Sequence, residues 1–258
     1  MTLVHSVSVV PHSAKLPPCI LIHGAANSES VWRYWLETLS AEGSAAFAVS
    51  LRGHGRSVPY DLSRTSMDDY VNDVCALASQ LNQPPVLIGW SMGGLVALMT
   101  ATKIPTTACI GLAPSTPASE IDFSIELRTG EFTYEEYGIT SNNPEDQTVM
   151  PDLSTEERTI ALSSLCKESV LARDERKRGI VIDSLACPLL IITGTLDEFW
   201  PKEAYADLVL PAEHLSVNGA SHWGLVLNQQ KVAELVPKVV EWLRKSMHKQ
   251  SLLKGEAP

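Results

Sequence analysis

The sequence lacks the features that mark several large classes of protein. Its 258 residues contain no apolar run long enough to cross a membrane, and no basic segment followed by an apolar core stands at the N-terminus. We therefore expect no membrane span, no membrane partner and no signal peptide, and we expect a cytoplasmic protein. Lysine and arginine number 20 against 30 aspartates and glutamates, and the net charge of −10 argues against nucleic acid as a partner.

Cysteine is also scarce. The five cysteines are odd in number and widely scattered, and no two have the spacing of a metal site or a redox pair. We interpret them as buried free thiols in a reducing compartment, and we expect no metal. In other respects the composition is ordinary. A hydrophobic content of 45% with 19% charged residues is typical of one globular domain with a sizeable core.

Short apolar runs alternate with helical patterns along most of the chain. Residues 19–22 and 187–192 are two of the runs typical of buried parallel strands, and stretches with apolar residues three and four apart follow several such runs. This alternation predicts an α/β fold with a mostly parallel central sheet and helices on both faces. In such sheets the functional site lies at the carboxyl ends of the strands.

The alternation stops in the 115–178 segment. Few apolar runs occur there and acidic residues are frequent, over a length too great for an ordinary loop. Ser154 and Glu157 form a capping-box pattern, which predicts a long helix that ends near Gly179. A solvated face is our interpretation of the acidic residues, and a filter for cationic substrates is the alternative. The predicted domains are a core of 1–114 and 179–258 and a small helical cap of 115–178.

One turn has the strongest chemical signal. Ser91 stands between a run of β-type residues and an apolar helical run, with Gly89 two residues before it and Gly93 two residues after it. A turn this sharp forces the serine into a strained conformation, and side chains at the flanking positions would collide. The following helix directs its N-terminal amides toward the serine oxygen. An inert strand-to-helix turn is the alternative that this motif alone leaves open.

Three other polar side chains also follow predicted strands, namely His23, Asp197 and His222. A serine hydroxyl is a poor nucleophile at neutral pH, and it needs a base to accept its proton and a carboxylate to orient that base. His222 and Asp197 meet this need for Ser91 in the chain order Ser, Asp, His. Glu198 is the alternative to Asp197 as the acid.

The sequence resembles the α/β-hydrolase superfamily over nearly its whole length. The motifs that carry the resemblance are His23-Gly24, Arg52-Gly53-His54-Gly55-Arg56-Ser57, Gly89-Trp90-Ser91-Met92-Gly93-Gly94, Gly194-Thr195-Leu196-Asp197 and Gly219-Ala220-Ser221-His222. The resemblance implies an α/β-hydrolase fold in which Ser91 is the nucleophile, Asp197 the acid and His222 the base. It also implies a reaction without a cofactor.

The resemblance implies roles for the loops around the nucleophile as well. The backbone amides of Ala25 and Met92 would form an oxyanion hole, which binds the negative charge of the tetrahedral intermediate. We expect His23 to hold the oxyanion loop by hydrogen bonds and His54 to pack a loop, rather than to react.

The predicted function is hydrolysis of small-molecule carboxylic esters through an acyl-enzyme intermediate. Trp90, directly before the nucleophile, resembles the residue found there in some carboxylesterases. Trp32, Trp90, Trp200 and Trp223 flank site positions and are candidates for the substrate pocket, as is Phe199. Thioesterases, C–C bond hydrolases, amidases and perhydrolases use the same triad, and a ligand-binding receptor with a retained triad is the alternative from another class. The oligomeric state and the acyl and alcohol groups of the substrate stay open.

Overall fold

The computed structural model describes residues 4–254, with side chains as far as residue 252. Residues 1–3 and 255–258 of the predicted core domain lie outside this range. The strands are β1 (His5–Val9), β2 (Leu16–Ile22), β3 (Ser44–Ser50), β4 (Val86–Trp90), β5 (Ala108–Leu112), β6 (Glu131–Phe132), β7 (Glu168–Ser169), β8 (Leu189–Gly194) and β9 (Glu213–Val217). The α-helices are α1 (Arg33–Ala41), α2 (Met67–Ala78), α3 (Met92–Ala101), α4 (Thr155–Ser163), α5 (Val170–Arg178), α6 (Gly224–Leu227) and α7 (Gln229–Lys254). Short 3₁₀ helices lie at Glu29–Trp32, Leu62–Arg64, Tyr134–Tyr137, Pro144–Asp146 and Lys202–Tyr205.

Seven strands form the central sheet, in the order β1-β3-β2-β4-β5-β8-β9. Strand β1 is antiparallel to β3, and the other neighbouring pairs are parallel. Strand β2 illustrates the burial of both faces, because Leu21 joins one apolar cluster while Ile20 and Ile22 join the other. Residues of α1, α6 and α7 pack in the first cluster and residues of α2 and α3 in the second. The α/β-hydrolase fold predicted from the sequence is therefore confirmed.

The 115–178 segment lies between β5 and β8 and adds no strand to the central sheet. Its two short strands, β6 and β7, pair with each other in an antiparallel sheet of their own. Apolar side chains of the segment, among them Met150, Leu153 and Ala161, pack into the first apolar cluster of the core. The segment is thus attached to the core by side-chain packing and by backbone hydrogen bonds outside the central sheet, among them an isolated β-bridge between Ala118 and Val181.

The long helix predicted from Ser154 onward is wrong, because the chain forms two helices separated at residues 164–169. The capping box at the start of α4 is present, with Ser154 and Glu157 bonded reciprocally. In the break, the Cys166 amide donates to the carbonyl oxygen of Ala26, outside the segment, at 2.8 Å. The Ser169 hydroxyl then caps α5 by accepting from the Ala172 amide at 3.2 Å. Hydrogen bonds to the core and a new cap therefore replace the helical ladder.

The interpretation of the five cysteines as buried free thiols is correct only in part. All five cysteines are free thiols, but only Cys19 and Cys109 are buried, and the other three are half-buried. Within residues 4–254 no helix has the length and apolar character needed to cross a bilayer. In the same range, no group of three or more histidines, cysteines, aspartates or glutamates is arranged to hold a metal ion.

Candidate active site

Ser91 directly follows β4 and has a backbone conformation that side chains seldom adopt, with φ 54° and ψ −122°. A Cβ atom on Gly89 would lie 2.1 Å from the Gly93 carbonyl oxygen, and one on Gly93 would lie 2.2 Å from that of Ile22. Both positions therefore require glycine, the second because β2 passes close to the turn. The Ser91 amide donates to the carbonyl oxygen of Leu112 at 3.0 Å, which ties the turn to the end of β5.

His222 and Asp197 form a hydrogen-bonded pair, with 2.7 Å between Nδ1 and Oδ2. The other oxygen of Asp197 accepts from the amides of Phe199 and Trp200, both at 2.9 Å. Burial alone would raise the pKa of Asp197, but the hydrogen bonds from His222 and the two amides hold this pKa below its ordinary value. The carboxylate assigns the imidazole proton to Nδ1, so that Nε2 can act as a base. Glu198, the alternative acid, is exposed.

Aromatic rings hold the imidazole in place. Trp90 donates its indole N–H to the carbonyl oxygen of His222 at 3.1 Å, and its ring centroid lies 5.0 Å from the imidazole. The ring of Phe199 lies 5.4 Å from the same imidazole, and that of Trp223 lies 4.9 Å from Trp90. Trp90 therefore positions His222 as well as filling space.

A cavity of about 240 Å³ brings Ser91 and His222 to one site. The Ser91 hydroxyl makes no hydrogen bond to any other residue in the described part of the chain, so its bond to His222 is not formed in this structure. Such bonds commonly tighten only when substrate is bound. The residues lining the cavity are Gly24, Ala25, Asn27, Trp90, Ser91, Tyr134, Tyr137, Ile139, Leu165, Arg176, Phe199, Trp200, His222 and Trp223.

The aromatic residues expected in the pocket are divided by the fold. Trp90, Phe199, Trp200 and Trp223 line the cavity. Trp32 does not line it, and its assignment to the pocket is wrong. Its side chain is completely buried in the core and packs edge-on against Trp35, with 5.9 Å between ring centroids. The 3₁₀ helix that ends at Trp32 directs this side chain into the apolar cluster instead of the site.

The amides of Ala25 and Met92, expected to form the oxyanion hole, belong to residues beside the cavity. Ala25 lines it, and Met92 directly follows Ser91 as the first residue of α3. Neither amide donates a hydrogen bond to another residue of the described chain, so both are available to a ligand. A helix N-terminus adds a favourable dipole for negative charge at the Met92 amide.

His23 holds the loop before Ala25. Its Nδ1 donates to the Gly24 carbonyl oxygen at 2.8 Å, and its Nε2 accepts from the Leu51 amide at 3.1 Å, which together fix the tautomer. Burial and the nearby His54 lower the pKa of His23 to about 4. The imidazole is therefore neutral near pH 7, and both of its nitrogens are committed to backbone groups.

The 115–178 segment contributes residues that the sequence did not single out. Tyr134, Tyr137, Ile139, Leu165 and Arg176 line the cavity from this segment. Aromatic and aliphatic residues without helical or strand periodicity give no local sign that they share a wall. The only available signal is that the segment is too long for a loop and follows the carboxyl end of a strand.

A sequence model of the alpha/beta hydrolase family matches residues 19–235 of the chain. The chain belongs to the alpha/beta hydrolase family. The match covers the Ser91 turn, Asp197 and His222, and it also spans the whole 115–178 segment.

Relatives of this α/β hydrolase include esterases. The pimeloyl-[acyl-carrier protein] methyl ester esterase of Pectobacterium carotovorum subsp. carotovorum is 27% identical over 233 residues, which are 87% of this chain and 81% of that protein. Human protein phosphatase methylesterase 1 is 34% identical over 101 residues, 37% of this chain. The match spans only 26% of that protein's length.

Solved structures of esterases have the same fold. A thermophilic esterase from Thermogutta terrifontis superposes with a TM-score of 0.70 at 21% identity, over 95% of this chain and 94% of that one. The chain therefore shares its family and its fold with esterases.

Proposed function

We propose that the protein hydrolyses carboxylic esters through a triad of Ser91, His222 and Asp197. The observation that carries this proposal is the His222–Asp197 hydrogen bond of 2.7 Å at a cavity that Ser91 also lines. A serine, a histidine with a free Nε2 and a buried carboxylate are the groups that acyl transfer to serine requires. Esterases among the relatives support esters over other acyl compounds.

In the proposed reaction Ser91 Oγ attacks the ester carbonyl carbon while its proton passes to His222 Nε2. The carbonyl oxygen becomes an oxyanion between the amides of Ala25 and Met92. The bond from the carbonyl carbon to the alkoxy oxygen then breaks, and the leaving alcohol takes the proton from His222. Water attacks the acyl-enzyme by the same route, which releases the carboxylic acid and restores Ser91. The 115–178 segment acts as a cap that shapes the acyl pocket.

The proposal is tested with p-nitrophenyl esters of increasing acyl length, using wild type, Ser91→Ala and Ser115→Ala. We expect wild type to turn over and Ser91→Ala to lose about 10⁵-fold or more in kcat. Ser115 is the matched control, because its buried hydroxyl has no partner among the described residues and does not line the cavity. Equal activity of wild type and Ser91→Ala excludes Ser91 as the nucleophile. A wild-type protein inert toward every ester excludes simple ester hydrolysis.

A further inference from the structure

Glu168 is a charged residue of the 115–178 segment that the proposed reaction does not use. Its side chain is fully buried, at 0% exposure. One carboxylate oxygen accepts from the Ala26 amide at 3.0 Å, and the other accepts from the Ser169 amide at 2.7 Å and from the Tyr70 hydroxyl. A buried carboxylate is tolerated only when its oxygens are bonded in this way.

The carboxyl group of Glu168 is an anion near pH 7. Burial alone would raise its pKa, but the charge of His54 and the hydrogen bond from Tyr70 lower the pKa to about 2. His54 Nε2 lies 3.3 Å from the Glu168 carboxylate, which is close enough for an ion pair. The angle between the two groups does not suit a hydrogen bond. Burial would lower the pKa of His54, and the carboxylate raises it above its ordinary value. The contact between His54 and Glu168 thus joins the core to the 115–178 segment.

The amide that Glu168 accepts from lies next to the proposed oxyanion hole. Ala26 follows Ala25 and has a positive φ of 57°, a conformation that persists only where neighbouring groups hold it. Both polar backbone atoms of Ala26 are bonded by the 115–178 segment, the N–H by Glu168 and the carbonyl oxygen by the Cys166 amide at 2.8 Å.

Asn27 provides a further connection between the same loop and the 115–178 segment. Its side-chain amide donates to the Ala25 carbonyl oxygen at 2.8 Å, and its side-chain oxygen accepts from the Ser164 hydroxyl at 2.7 Å. Residues 164–168, which interrupt the predicted helix, therefore contact the loop of Ala25 at several points.

We propose that Glu168 is a positioning residue for the oxyanion hole. Its carboxylate, together with the Asn27 side chain, holds the peptide unit that joins Ala25 to Ala26. This unit fixes the backbone conformation of Ala25, whose own N–H belongs to the preceding peptide unit. The inference rests on the proposed function. An oxyanion donor binds the transition state more strongly than the bound ester, so its misplacement lowers kcat and leaves KM nearly unchanged.

The test uses Glu168→Gln, which keeps the side-chain volume but replaces one accepting oxygen with a donor. Kinetics with p-nitrophenyl acetate are measured beside inhibition by a trifluoromethyl ketone, whose adduct with the nucleophilic serine has the same oxyanion. We expect kcat to fall and the inhibition constant to rise by about 10- to 100-fold, with KM within about twofold. The matched control is Glu131→Gln, in the strand paired with that of Glu168 but bonded only to Lys167 at 3.0 Å, and it retains wild-type values.

A folded Glu168→Gln protein with wild-type kcat and inhibition constant overturns the positioning role. An equal rise in KM and the inhibition constant also overturns it, because a general distortion of the pocket weakens both. If Glu168→Gln does not fold, Tyr70→Phe replaces it and is expected to lower kcat several-fold at constant KM, since one bond to the carboxylate is lost. Unchanged kcat in that variant overturns the proposal. A wild type that neither turns over nor binds the ketone overturns the proposed function instead.

Arg176 supports a separate inference, about the substrate. Among the described residues it is the only arginine, lysine, aspartate or glutamate that lines the cavity, and it is half-buried there. Its Nε and Nη2 reach the Ala172 carbonyl oxygen and the Tyr137 hydroxyl only at 3.4 Å and 3.5 Å. Within the described chain it has no ion pair with a carboxylate. Most of its N–H donors are therefore available to a ligand.

Two neighbouring arginines of α5 are occupied, in contrast to Arg176. Arg173 pairs with Glu136, and Arg178 donates to a backbone carbonyl oxygen at 2.6 Å and 2.9 Å. Glu168, whose charge acts on Arg176, makes its own hydrogen bonds elsewhere. Of these three arginines, Arg176 at the cavity is therefore the one without a carboxylate partner or a short hydrogen bond to a carbonyl oxygen.

We infer that Arg176 binds an anionic group of the substrate, so that the preferred esters carry a carboxylate in addition to the ester group. An arginine fork matches a carboxylate with two parallel hydrogen bonds, and the apolar walls around it strengthen that attraction. The inference rests on the proposed function and names the substrate class of the same site.

The experiment compares monomethyl succinate, glutarate and adipate with the methyl esters of butanoic, pentanoic and hexanoic acids. It also compares 3-acetoxypropanoate with propyl acetate, which places the carboxylate on the alcohol side. We expect a preference of about tenfold or more in kcat/KM for the anionic member of at least one pair. Arg176→Gln loses the preference through a higher KM, and Lys177→Gln, its exposed neighbour, retains it.

A wild type that prefers the neutral ester in every pair, or shows no preference, overturns the role of Arg176. Equal loss of the preference in Lys177→Gln also overturns it, since the effect is then one of net charge. Absence of hydrolysis of all of these esters and of p-nitrophenyl esters overturns the proposed function instead.

Discussion

The core and the 115–178 segment contribute to the cavity in different ways. The core presents the side chains of the proposed triad after the carboxyl ends of strands, with Ser91 after β4, Asp197 after β8 and His222 after β9. The segment has no strand in that sheet, and it contributes apolar walls, Arg176 and the carboxylate of Glu168. The central sheet thus positions the proposed chemistry, and the segment outside that sheet determines the shape and charge of the space around it.

The two regions also differ in what keeps them ordered. The central strands are buried on both faces, so burial of apolar surface is sufficient to define them. Helices α4 and α5 have nine residues each, a length at which an isolated helix is marginal in water. Their ends are capped by Ser154 and Ser169, and their order depends on contacts with the core. The segment therefore takes its structure from the core, while its residues Cys166 and Glu168 in turn hold a core loop.

After the loss of activity expected for Ser91→Ala, the next largest effect on kcat is expected from changing Asp197, the carboxylate of the core. Asp197→Asn replaces the acceptor for His222 Nδ1–H with an amide, which favours the wrong tautomer of the imidazole. We expect kcat for p-nitrophenyl acetate to fall about 10⁴-fold. Glu198→Gln, an exposed acid one residue later, is the matched control and keeps wild-type activity. Loss of activity in Glu198→Gln with retained activity in Asp197→Asn would assign the acid to Glu198. The proposed acid would then no longer be the buried carboxylate that follows β8.

A second effect concerns the neutral histidine of the core. The pKa of His23 is about 4 in the folded protein against 6.5 for an ordinary histidine, so the unfolded chain binds its proton first as the pH falls. The neutral imidazole of His23 therefore makes its full contribution to the free energy of unfolding above pH 6.5. Between pH 6.5 and 4 this contribution is lost, which lowers the free energy of unfolding by roughly 3 kcal/mol.

Thermal and urea unfolding from pH 7 to 4 measure this loss. We expect His23→Gln to be less stable but to have a flatter dependence on pH, while His12→Gln, at an exposed position, keeps the wild-type slope. His54 has a raised pKa, so its contribution is lost at higher pH and does not enter this window. Identical slopes for wild type and His23→Gln would contradict a buried neutral imidazole.

The smallest effect is expected in the 115–178 segment. Leu165 lines the cavity, and Leu165→Ala enlarges it by several methyl-sized groups without touching the triad. We expect kcat/KM to rise a few-fold for longer acyl chains relative to acetate, in a series of p-nitrophenyl esters. Leu162→Ala, which alters a side chain packed on the core outside the cavity, keeps the wild-type profile. If only Leu162→Ala changed the preference for acyl length, the proposal that the 115–178 segment shapes the cavity through Leu165 would be refuted.

Local signals were sufficient for the core and failed in the segment for physical reasons. The turn at Ser91 is readable because each glycine beside it is required by a backbone atom nearby. The break between α4 and α5 is not readable, since the core partners of Cys166 and Glu168, namely Ala26 and Tyr70, lie more than 90 residues away in the chain. Trp32 was assigned to the pocket from its position near the site in sequence, and such proximity does not determine which way a side chain points.

The sequence by itself determined the α/β architecture, because apolar periodicity is a local property that each stretch displays alone, and its motifs carried the resemblance that implied the α/β-hydrolase fold. The same local properties predicted Asp197 and His222 as partners, since every parallel strand ends at one edge of the sheet. Only the tertiary structure decided that Glu168 meets Ala26 and that Arg176 reaches the cavity without a direct carboxylate partner. Those contacts join distant parts of the chain through single side chains, and no repeating pattern is needed to form them.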